Sequence, residues 1–432
     1  MGTHTKMSQS STLQQWLSWQ ETLHSKQIDL GLNRVDSVRV ALGIPKDLSS
    51  TVITIAGTNG KGSTLRLLEE ICKAQGLSVG SYTSPHLNEY NERIKLNGNP
   101  VSDKMICTAF ERIDQCRQEI SLSYFEFGTL AALDIFNNHQ PDIVLLEVGL
   151  GGRLDAVNII DPDIAVITSI GMDHMDWLGN TLEDIAREKS GIMRGGRYVV
   201  SGEMRDIKSI AETAQNIGAK LLQSGKQFEY KQEQNCWSWS NSLGYRNQQN
   251  LSMPAMKGEH QFQNAATALM VITLLQEFKF EVSTDAINKG LESYFLPGRL
   301  ETIQREGVEW IVDVSHNVDG VQRLQQYLQQ QICLGKTYAV FGLLQRKQLE
   351  QIIKIMDQVI DVWLLTELPD PDSFLKEELL EIVSAEVGLE KSVAAYSGYN
   401  ELHPLLLKQI NPGDRVVLFG SFRMVEAFSK LG

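Results

Sequence analysis

The feature that most constrains the fold is a glycine-rich segment between an apolar run and a segment of helical period. Residues 51–56 (TVITIA) predict a buried strand, and residues 63–75 predict a helix that stops at Gly76. Glycines let consecutive backbone N–H groups turn toward one anion, and a helix N-terminus adds positive dipole. The order strand, glycine turn and helix therefore predicts a phosphate-binding loop, made of Gly57, Thr58, Asn59, Gly60, Lys61, Gly62 and Ser63.

Two side chains of this segment carry the chemistry expected of such a loop. Lys61 can neutralise β- and γ-phosphate oxygens, and Ser63 can reach a magnesium ion. The spacing departs from GxxxxGK[ST], because Ile55 stands where the first glycine belongs and Gly62 separates Lys61 from Ser63. The departure points away from ordinary P-loop kinases and GTPases. A tight strand-to-helix turn with a solvated lysine is the structural alternative.

Alternating β-rich and helical segments continue through the chain, which predicts an α/β protein with parallel sheets. With 432 residues the chain is long for a single core, and Pro297 and Gly298 interrupt the pattern at a predicted hinge. We predict a P-loop-type parallel-sheet ATPase domain over 1–297 and a smaller Rossmann-like α/β domain over 298–432. Residues 222–252 fit an antiparallel hairpin or a surface excursion. Further strands are predicted at 142–148, 164–170, 308–314, 337–343, 362–367 and 415–420, and a helix at 181–192.

Composition excludes several classes of partner. The formal net charge is −13, which repels phosphate backbones and makes nucleic acid an unexpected partner. The apolar runs are strand-sized, so no membrane partner is expected either. Five scattered cysteines form no CxxC pair, which fits a reducing cytoplasm. We expect a cytoplasmic monomer whose anionic substrates are bound by a few local cations and metal ions.

Three further polar residues stand out, and each leaves an alternative open. Glu147 ends an apolar run, where burying a carboxylate costs desolvation free energy unless a cation or hydrogen-bond donors compensate. Glu147 could therefore be a metal ligand or could cap a neighbouring loop. His174 follows a predicted strand and, taken alone, is more often a hydrogen-bonded surface residue than a ligand. Lys189 lies in a charged helical segment, where the simple interpretation is a solvated lysine paired with Glu188 or Asp184.

Taken in order, the motifs of the chain resemble those of the folylpolyglutamate synthase and dihydrofolate synthase family, a branch of the Mur ligase superfamily. The resemblance runs from about Ile28 to the C-terminus and covers many separate motifs in the right order, which makes it far more specific than any one of them. Besides GTNGKGS at 57–63, the motifs are TSPHL at 83–87, NERI at 91–94, EVGLGGRLD at 147–155, GMDH at 171–174, AREKSGI at 186–192, LPGR at 296–299 and DVSHN at 313–317.

The resemblance implies ATP and two magnesium ions as cofactors. Ser84 and Glu147 would be ligands of the magnesium that holds ATP, with Ser63 assisting, and His174 a ligand of the second. Lys189 would carry a carbamate that helps to hold the second ion. This modification needs a neutral amine, hence a lysine whose surroundings disfavour the charge. The remaining ATP contacts implied by the family are Asn264, Arg299 and Asp313.

The resemblance to the bacterial bifunctional members also implies a dihydropteroate site. Aromatic and acidic side chains suit a flat pterin, because the rings stack on its face and the carboxylates bond to its edge. A phenylalanine pair in the core is the structural alternative for Phe125 and Phe127. The implied site consists of Asp29, Leu30, Gly31 and Leu32, of Ser123, Tyr124, Phe125 and Glu126, and of Leu154, Asp155 and Ala156.

The implied reaction is the addition of L-glutamate to dihydropteroate and to reduced folates through an acyl-phosphate. Lys61, His174 and Lys189 are the residues expected to act on the transferring phosphoryl group. Two alternatives remain open. A cell-wall Mur ligase has the same chemistry but carries a uridine-nucleotide domain before the loop, and only 56 residues precede Gly57 here. A nucleotide-dependent binding protein without ligase activity is the other.

Overall fold

The computed structural model describes residues 11–24, 26, 29–388 and 390–431, and these form two compact units. The first consists of the described residues of Met1–Ile170 with Thr181–Pro254 and Phe262–Tyr294. The second consists of Gly171–Asn180, Ala255–Gln261 and the described residues of Phe295–Gly432. The segment around His174 therefore belongs to the second unit. The domain boundary at residues 297 and 298 stays a prediction.

The regular elements alternate as the sequence predicts. Among the described residues the strands are β1 (Thr51–Ala56), β2 (Val79–Tyr82), β3 (Ile94–Leu96), β4 (Asn99–Pro100), β5 (Ile143–Glu147), β6 (Ile164–Ile167), β7 (Tyr198–Ser201), β8 (Lys220–Gln223), β9 (Phe228–Gln232), β10 (Trp237–Asn241), β11 (Gln248–Leu251), β12 (Glu301–Arg305), β13 (Val308–Val312), β14 (Thr337–Phe341), β15 (Val362–Thr366), β16 (Ser392–Tyr396) and β17 (Arg415–Phe419).

The helices connect these strands and cover the sheets. They are α1 (Leu13–Leu23), α2 (Asn33–Ala41), α3 (Lys61–Ala74), α4 (Asp103–Arg117), α5 (Tyr124–His139), α6 (Met175–Leu178), α7 (Leu182–Ser190), α8 (Lys208–Ile217), α9 (His260–Leu274), α10 (Thr284–Ser293), α11 (Val318–Gln329), α12 (Leu349–Met356), α13 (Lys376–Glu386), α14 (Tyr399–Leu406) and α15 (Phe422–Leu431). Within the described part of the chain, no helix combines the length and the apolar composition needed to cross a bilayer.

The first unit is built on an eight-stranded sheet in the order β4-β3-β2-β5-β1-β6-β7-β8. The six strands β2, β5, β1, β6, β7 and β8 run in parallel, and the pairs β2–β3 and β3–β4 are antiparallel. Every residue of β1 is buried, as expected of a parallel strand covered on both faces. Because parallel strands end at one edge, the segments after β1, β5 and β6 meet there. The sheet thus gathers the loops that carry the candidate site.

Residues 222–252 contain a small antiparallel sheet in the order β11-β10-β9. The predicted hairpin is confirmed in β9 and β10, and the sequence did not show that β11 adds a third strand. Trp237 and Trp239 are fully buried, and their indole N–H groups donate to Ser252 O at 2.9 Å and to Ala266 O at 3.1 Å. Burial of these two rings fixes the sheet to its own unit.

The second unit is built on a six-stranded sheet in the order β12-β13-β17-β14-β15-β16. All pairs are parallel except β12 with β13, which form a hairpin. The core between this sheet and α11, α12 and α13 includes Phe341, Trp363 and Phe419. The α/β class and the restart of the alternation after Pro297 are confirmed. The strand predicted at 51–56 has the observed bounds, and the other predicted strands are one to three residues too long, a common uncertainty at element ends.

Helices α3 and α10 pack closely because a glycine stands at their contact. A methyl group on Gly290 would lie 2.4 Å from Ile71 Cγ1 and 2.9 Å from the Ile71 backbone nitrogen. The backbone of α3 cannot move aside as a side-chain end can. This packing fixes the helix that begins in the phosphate loop.

We expect Gly290→Ala to destabilise the protein. Alanine gains about 1 kcal/mol of helix propensity, but overpacking against a backbone atom costs roughly 1–3 kcal/mol, so a net loss of up to about 2 kcal/mol is expected in urea unfolding. Lys289→Ala is the matched control, because Lys289 is exposed on the same helix and forms an ion pair with Asp285. An unchanged or higher midpoint for Gly290→Ala, relative to Lys289→Ala, would contradict the close packing.

Candidate functional site

The phosphate loop is shaped by two glycines that neighbouring side chains approach closely. A methyl group on Gly57 would lie 1.9 Å from Thr168 Oγ1, so no other residue fits there. Gly60 has φ +89°, and a methyl group on it would lie 2.5 Å from Asn264 Oδ1. Helix α3 begins directly after Gly60, at Lys61, two residues earlier than predicted. Asn264, an expected ATP contact, thus lies against the loop.

Two residues after β6 hold the loop, and the sequence analysis did not single them out. Thr168 Oγ1 donates to Asn59 O at 2.7 Å and Ser169 Oγ donates to the same oxygen at 2.9 Å. The Asn59 N–H donates back to Ser169 Oγ at 3.3 Å, and the Thr58 N–H donates to Ser169 O at 2.7 Å. The only sequence signal is a Thr-Ser pair after an apolar run. Its importance depends on β6 lying next to β1.

Two lysine amines converge on one carbonyl of the loop. Lys61 Nζ donates to Gly57 O at 2.9 Å and to Thr58 O at 3.3 Å. Lys189 Nζ donates to Gly57 O at 3.1 Å, and Lys189 is only 5% exposed. Lys189 thus brings a second amine to the loop at which Lys61 places a positive charge, in a chain of net negative charge. This is the charge that bound phosphate groups require.

The simple interpretation of Lys189 as a solvated surface lysine is wrong. Its expected partners are engaged elsewhere: Glu188 pairs with Arg153 at 2.9 Å, and Asp184 pairs with Arg187 at 3.1 Å. Helix α7 packs closely against the segment after β5 because that segment has a glycine at the contact. A methyl group on Gly152 would lie 2.9 Å from Lys189 O. The GLGG sequence after β5 is therefore needed to bring Lys189 to the loop.

Glu147 and Ser84 are neighbours, as expected if they share an ion. Glu147 ends β5 and is 6% exposed, and the Ser84 N–H donates to its Oε2 at 3.2 Å. Ser63 is buried in the first turn of α3. Among the described residues, no group of three or more His, Cys, Asp and Glu side chains could hold a metal ion alone. One carboxylate with hydroxyl oxygens nevertheless fits magnesium, which keeps waters and binds substrate phosphates.

His174 belongs to a polar cluster of the second unit that centres on Asp173. The carboxylate of Asp173 accepts from Asn317 Nδ2 at 3.0 Å, lies 3.4 Å from His316 Nε2, and forms an ion pair with Lys347. His174 Nε2 lies 3.9 Å from the same carboxylate. Burial alone would raise the pKa of Asp173, but these hydrogen bonds and positive charges hold it well below its usual range. Asp173 therefore stays ionised and orders the residues around it.

Arg299 and Asp313 both contribute to the turn that follows Pro297. Asp313 Oδ2 accepts from the Leu300 N–H at 2.8 Å, and its Oδ1 accepts from the N–H and hydroxyl of Ser315. The Arg299 guanidinium lies 5.0 Å from the centre of the Phe422 ring. Asp313 thus holds Leu300, which has φ +47°, in the left-handed region. The expected ATP contacts of both residues stay predictions.

The first two segments of the implied dihydropteroate site are joined by Arg34. This arginine forms ion pairs with Asp29 at 2.6 Å and with Glu126 at 2.9 Å. Glu126 in turn accepts from the Ser123 N–H at 2.7 Å, in a capping box that begins α5. Leu30, Gly31 and Leu32 are half-buried between Asp29 and α2. Arg34 is not among the predicted site residues, because Asp29 and Glu126 are far apart in the chain and the sequence does not show that one arginine reaches both.

The second and third segments meet at Phe125 and Asp155. A methyl group on Gly149 would lie 2.7 Å from the Phe125 ring and 3.3 Å from Asp155 Oδ2. Phe127 is buried in the core, but Phe125 is only half-buried and lies 6.0 Å from the Tyr82 ring. The core alternative is thus confirmed for Phe127 alone, and Phe125 keeps a face that could stack on a ligand. Tyr124 and Leu154 are half-buried as well, and Ala156 is buried.

Asp155 is a buried carboxyl group with an altered pKa. Its oxygens accept from the Leu150 N–H at 2.8 Å and the Val157 N–H at 3.0 Å, and it caps the 3-10 helix Ala156–Ile159. Burial raises the pKa of Asp155 to about 6, although these backbone donors oppose the shift. This carboxyl group therefore gains or loses its proton near neutral pH.

We expect Asp155→Asn to change how stability depends on pH. The folded protein holds the Asp155 proton up to pH about 6, whereas the unfolded chain releases it near 3.8, so this stabilisation is present at low pH and lost as pH rises between those values. The unfolding free energy of the wild type should fall relative to Asp155→Asn by roughly 3 kcal/mol between pH 4 and 7, as measured by urea unfolding. A constant difference would show that Asp155 ionises normally.

We expect Thr168→Val to weaken nucleotide binding. The change keeps the shape but removes the hydroxyl that donates to Asn59 O, so the ADP affinity measured by calorimetry should fall roughly 3- to 10-fold. Thr54→Val is the matched control, because the buried Thr54 hydroxyl lies in β1 and has no hydrogen-bond partner among the described residues. Equal ADP affinities for the two variants would contradict the supporting role of Thr168.

The chain is similar to known proteins over nearly its whole length. The family model of the Mur ligase middle domain matches residues 55–272, and that of the Mur ligase, glutamate ligase domain, matches residues 298–422. The chain is 39% identical to the dihydrofolate synthase/folylpolyglutamate synthase of Escherichia coli, over 96% of this chain and 94% of the relative. It is 36% identical to the protein of the same name from Haemophilus influenzae, over 97% of each chain.

Solved structures lead to the same family. E. coli FolC in complex with DHPP and ADP is 38% identical, with a TM-score of 0.91 and 99% of each chain covered. A bifunctional folylpolyglutamate synthase/dihydrofolate synthase with Mn, AMPPNP and L-glutamate bound is 37% identical, with a TM-score of 0.89 and 99% of each chain covered. The chain therefore belongs to the dihydrofolate synthase/folylpolyglutamate synthase family of Mur ligases.

Proposed function

We propose that this protein is an ATP-dependent ligase that adds L-glutamate to dihydropteroate, forming dihydrofolate, and to folyl(poly)glutamates. The observation that carries the proposal is the convergence of Lys61 and Lys189 on Gly57, at the sheet edge where Glu147 contacts Ser84. Such a centre suits a terminal phosphoryl group and its metal. The names of the relatives supply the acceptor and the amino acid.

The proposed chemistry proceeds through an acyl-phosphate. A carboxylate oxygen of the acceptor attacks the γ-phosphorus in line, and ADP leaves. The neutral amine of glutamate then attacks the acyl carbon, phosphate leaves, and the amine loses a proton as the amide forms. Lys61 and the N–H groups of the loop stabilise the charge on the transferring group. No nucleophilic side chain is needed.

Two divalent ions are part of the proposal. Ser84 and Glu147, with Ser63, would hold one, and His174 with a carbamate on Lys189 would hold the other. When bound, such ions supply positive charge at the phosphate and carboxylate oxygens. The carbamate forms when the neutral amine adds to carbon dioxide and releases a proton. It keeps one N–H, so the bond from Lys189 to Gly57 O remains possible.

The acceptor site of the proposal uses the three segments described above. Phe125 offers a ring face to a flat pterin, and Asp155 offers a carboxyl group next to that ring. Arg34 holds Asp29 and Glu126 in fixed positions. Contacts of ATP with Asn264, Arg299 and Asp313 complete the proposed site. We further propose a cytoplasmic monomer that binds neither nucleic acid nor membrane, in keeping with its acidic charge and five free cysteines.

The decisive experiment compares acceptors with ATP, magnesium and glutamate present. Amide formation on dihydropteroate and on a reduced folate is expected, with release of one phosphate per bond. Product from a uridine-linked cell-wall precursor instead would favour a peptidoglycan amino-acid ligase. If the protein binds nucleotide but releases phosphate with none of these acceptors, it is a binding protein and the ligase proposal is wrong.

We expect Lys61→Ala to lose roughly 100- to 1,000-fold in kcat, because it removes a charge that acts on the transferring phosphoryl group. Lys73→Ala is the matched control, since Lys73 lies in the last turn of the same helix and pairs with Glu70. The readout is phosphate release at saturating ATP, with circular dichroism to check the fold. Wild-type turnover in Lys61→Ala would remove this lysine from the mechanism.

A further inference from the structure

One arginine of the first unit is buried without a carboxylate partner. Arg93 ends the 3-10 helix Tyr90–Arg93 and is only 9% exposed. Arginine keeps its positive charge in proteins, and a buried charge costs free energy unless an opposite charge or hydrogen bonds compensate. Within the described part of the chain, however, Arg93 forms no ion pair with an aspartate or a glutamate. Its one side-chain hydrogen bond there runs from Nε to His86 Nδ1, at 2.7 Å.

Two tyrosine rings and an open edge surround the guanidinium group of Arg93. Its Cζ atom lies 5.5 Å from the centre of the Tyr90 ring and 5.5 Å from that of Tyr124. Such contacts compensate part of the lost hydration, but they leave the N–H groups at the edge of the guanidinium without acceptors. The two Nη atoms have no hydrogen-bond partner among the described residues, yet they are not sealed from solvent. These N–H donors are therefore open to a ligand.

The acidic side chains nearest to Arg93 in the chain or in the acceptor site are engaged elsewhere. Glu92 accepts from the backbone N–H groups of residues 87–89, each at 2.8 Å. Glu126 pairs with Arg34 at 2.9 Å, and Asp155 accepts from two backbone N–H groups. The open edge of Arg93 thus suits an anionic group from outside the chain, and the planar guanidinium fork matches a carboxylate.

Arg93 adjoins two parts of the proposed site, both in the first unit. The Thr83 N–H donates to Arg93 O at 2.9 Å, which places Arg93 beside the residue that precedes Ser84. Its guanidinium faces Tyr124 of the implied dihydropteroate site. We propose that Arg93 binds a carboxylate of the acceptor. The inference rests on the proposed function, in which every acceptor carries a carboxylate.

Two carboxylates of the acceptors fit this role. Dihydropteroate has a single carboxylate, which is the group that reacts. Dihydrofolate carries, besides its reacting γ-carboxylate, an α-carboxylate that stays charged throughout the reaction. An arginine on the reacting group would act with both acceptors, whereas an arginine on the α-carboxylate would act with dihydrofolate alone. Comparison of the two acceptors therefore separates these sources.

The test measures ligand binding by calorimetry with Mg²⁺ and ADP present, so that no turnover occurs. Dihydropteroate is compared with its carboxamide, and dihydrofolate with its α-carboxamide. For the carboxylate that Arg93 binds, the wild type should prefer the acid by about 10- to 100-fold, the range for hydrogen bonds to a charged group, and Arg93→Met should lose that preference. In turnover, the KM for the same acceptor should rise by a similar factor, with the KM for ATP within about twofold.

Two further variants complete the test. Arg112→Met is the matched control, because Arg112 lies in α4 of the same unit and already has a carboxylate partner in Asp134. This variant should keep the wild-type preference. Arg93→Lys keeps the charge but not the fork, so an intermediate preference is expected, and it serves if Arg93→Met does not fold.

The outcomes separate the inference from the proposed function. An undiminished preference for both carboxylates in the Arg93 variants would overturn the inference. An equal loss in Arg112→Met would overturn it as well, because general stability would then explain the effect. A wild type that binds neither acceptor would remove the inference together with the proposed function. A wild type that binds both, but forms no amide with ATP and glutamate, would count against the ligase alone.

Discussion

The carbonyl of Gly57 is the point on which the rest of the site depends. Lys61 from the adjoining helix and the buried Lys189 from α7 both donate to it. These two positions depend on glycines. A methyl group on Gly57 would collide with Thr168, and a methyl group on Gly152 would collide with α7. The parallel sheet then brings Glu147 to the same edge. Lys61 thereby places a positive charge at this edge, although the chain as a whole is acidic.

Charged side chains serve as connectors in the first unit. Arg34 joins Asp29 to Glu126, and Glu203 with Arg205 holds Ile170. Each connector satisfies backbone groups or charges that would be costly to bury alone. Hydrogen bonds and ion pairs therefore help to hold the loops of the candidate site. In the second unit, Asp173 has the same function for Asn317, His316 and Lys347.

Family membership and local geometry explain different parts of the protein. The relatives account for the order of the motifs and for the ligase chemistry. The geometry accounts for residues outside those assignments, such as Thr168, Ser169 and Arg205, whose contacts hold the residues that the motifs contain. Asp313 is instructive, since its carboxylate is engaged with Leu300 and Ser315 in the structure. A nucleotide contact there would have to share those bonds.

The sequence by itself determined the α/β class, the strand and helix around the phosphate loop, and the family. Those features depend on local pattern and motif order, which a single chain displays. The three-dimensional structure was needed to show that Lys189 is buried at Gly57, that Phe125 is half-buried whereas Phe127 joins the core, and that Arg34 bridges two segments. These facts depend on which strands lie side by side and how closely a glycine lets them pack. Contacts across more than ninety residues leave no periodic signal in sequence.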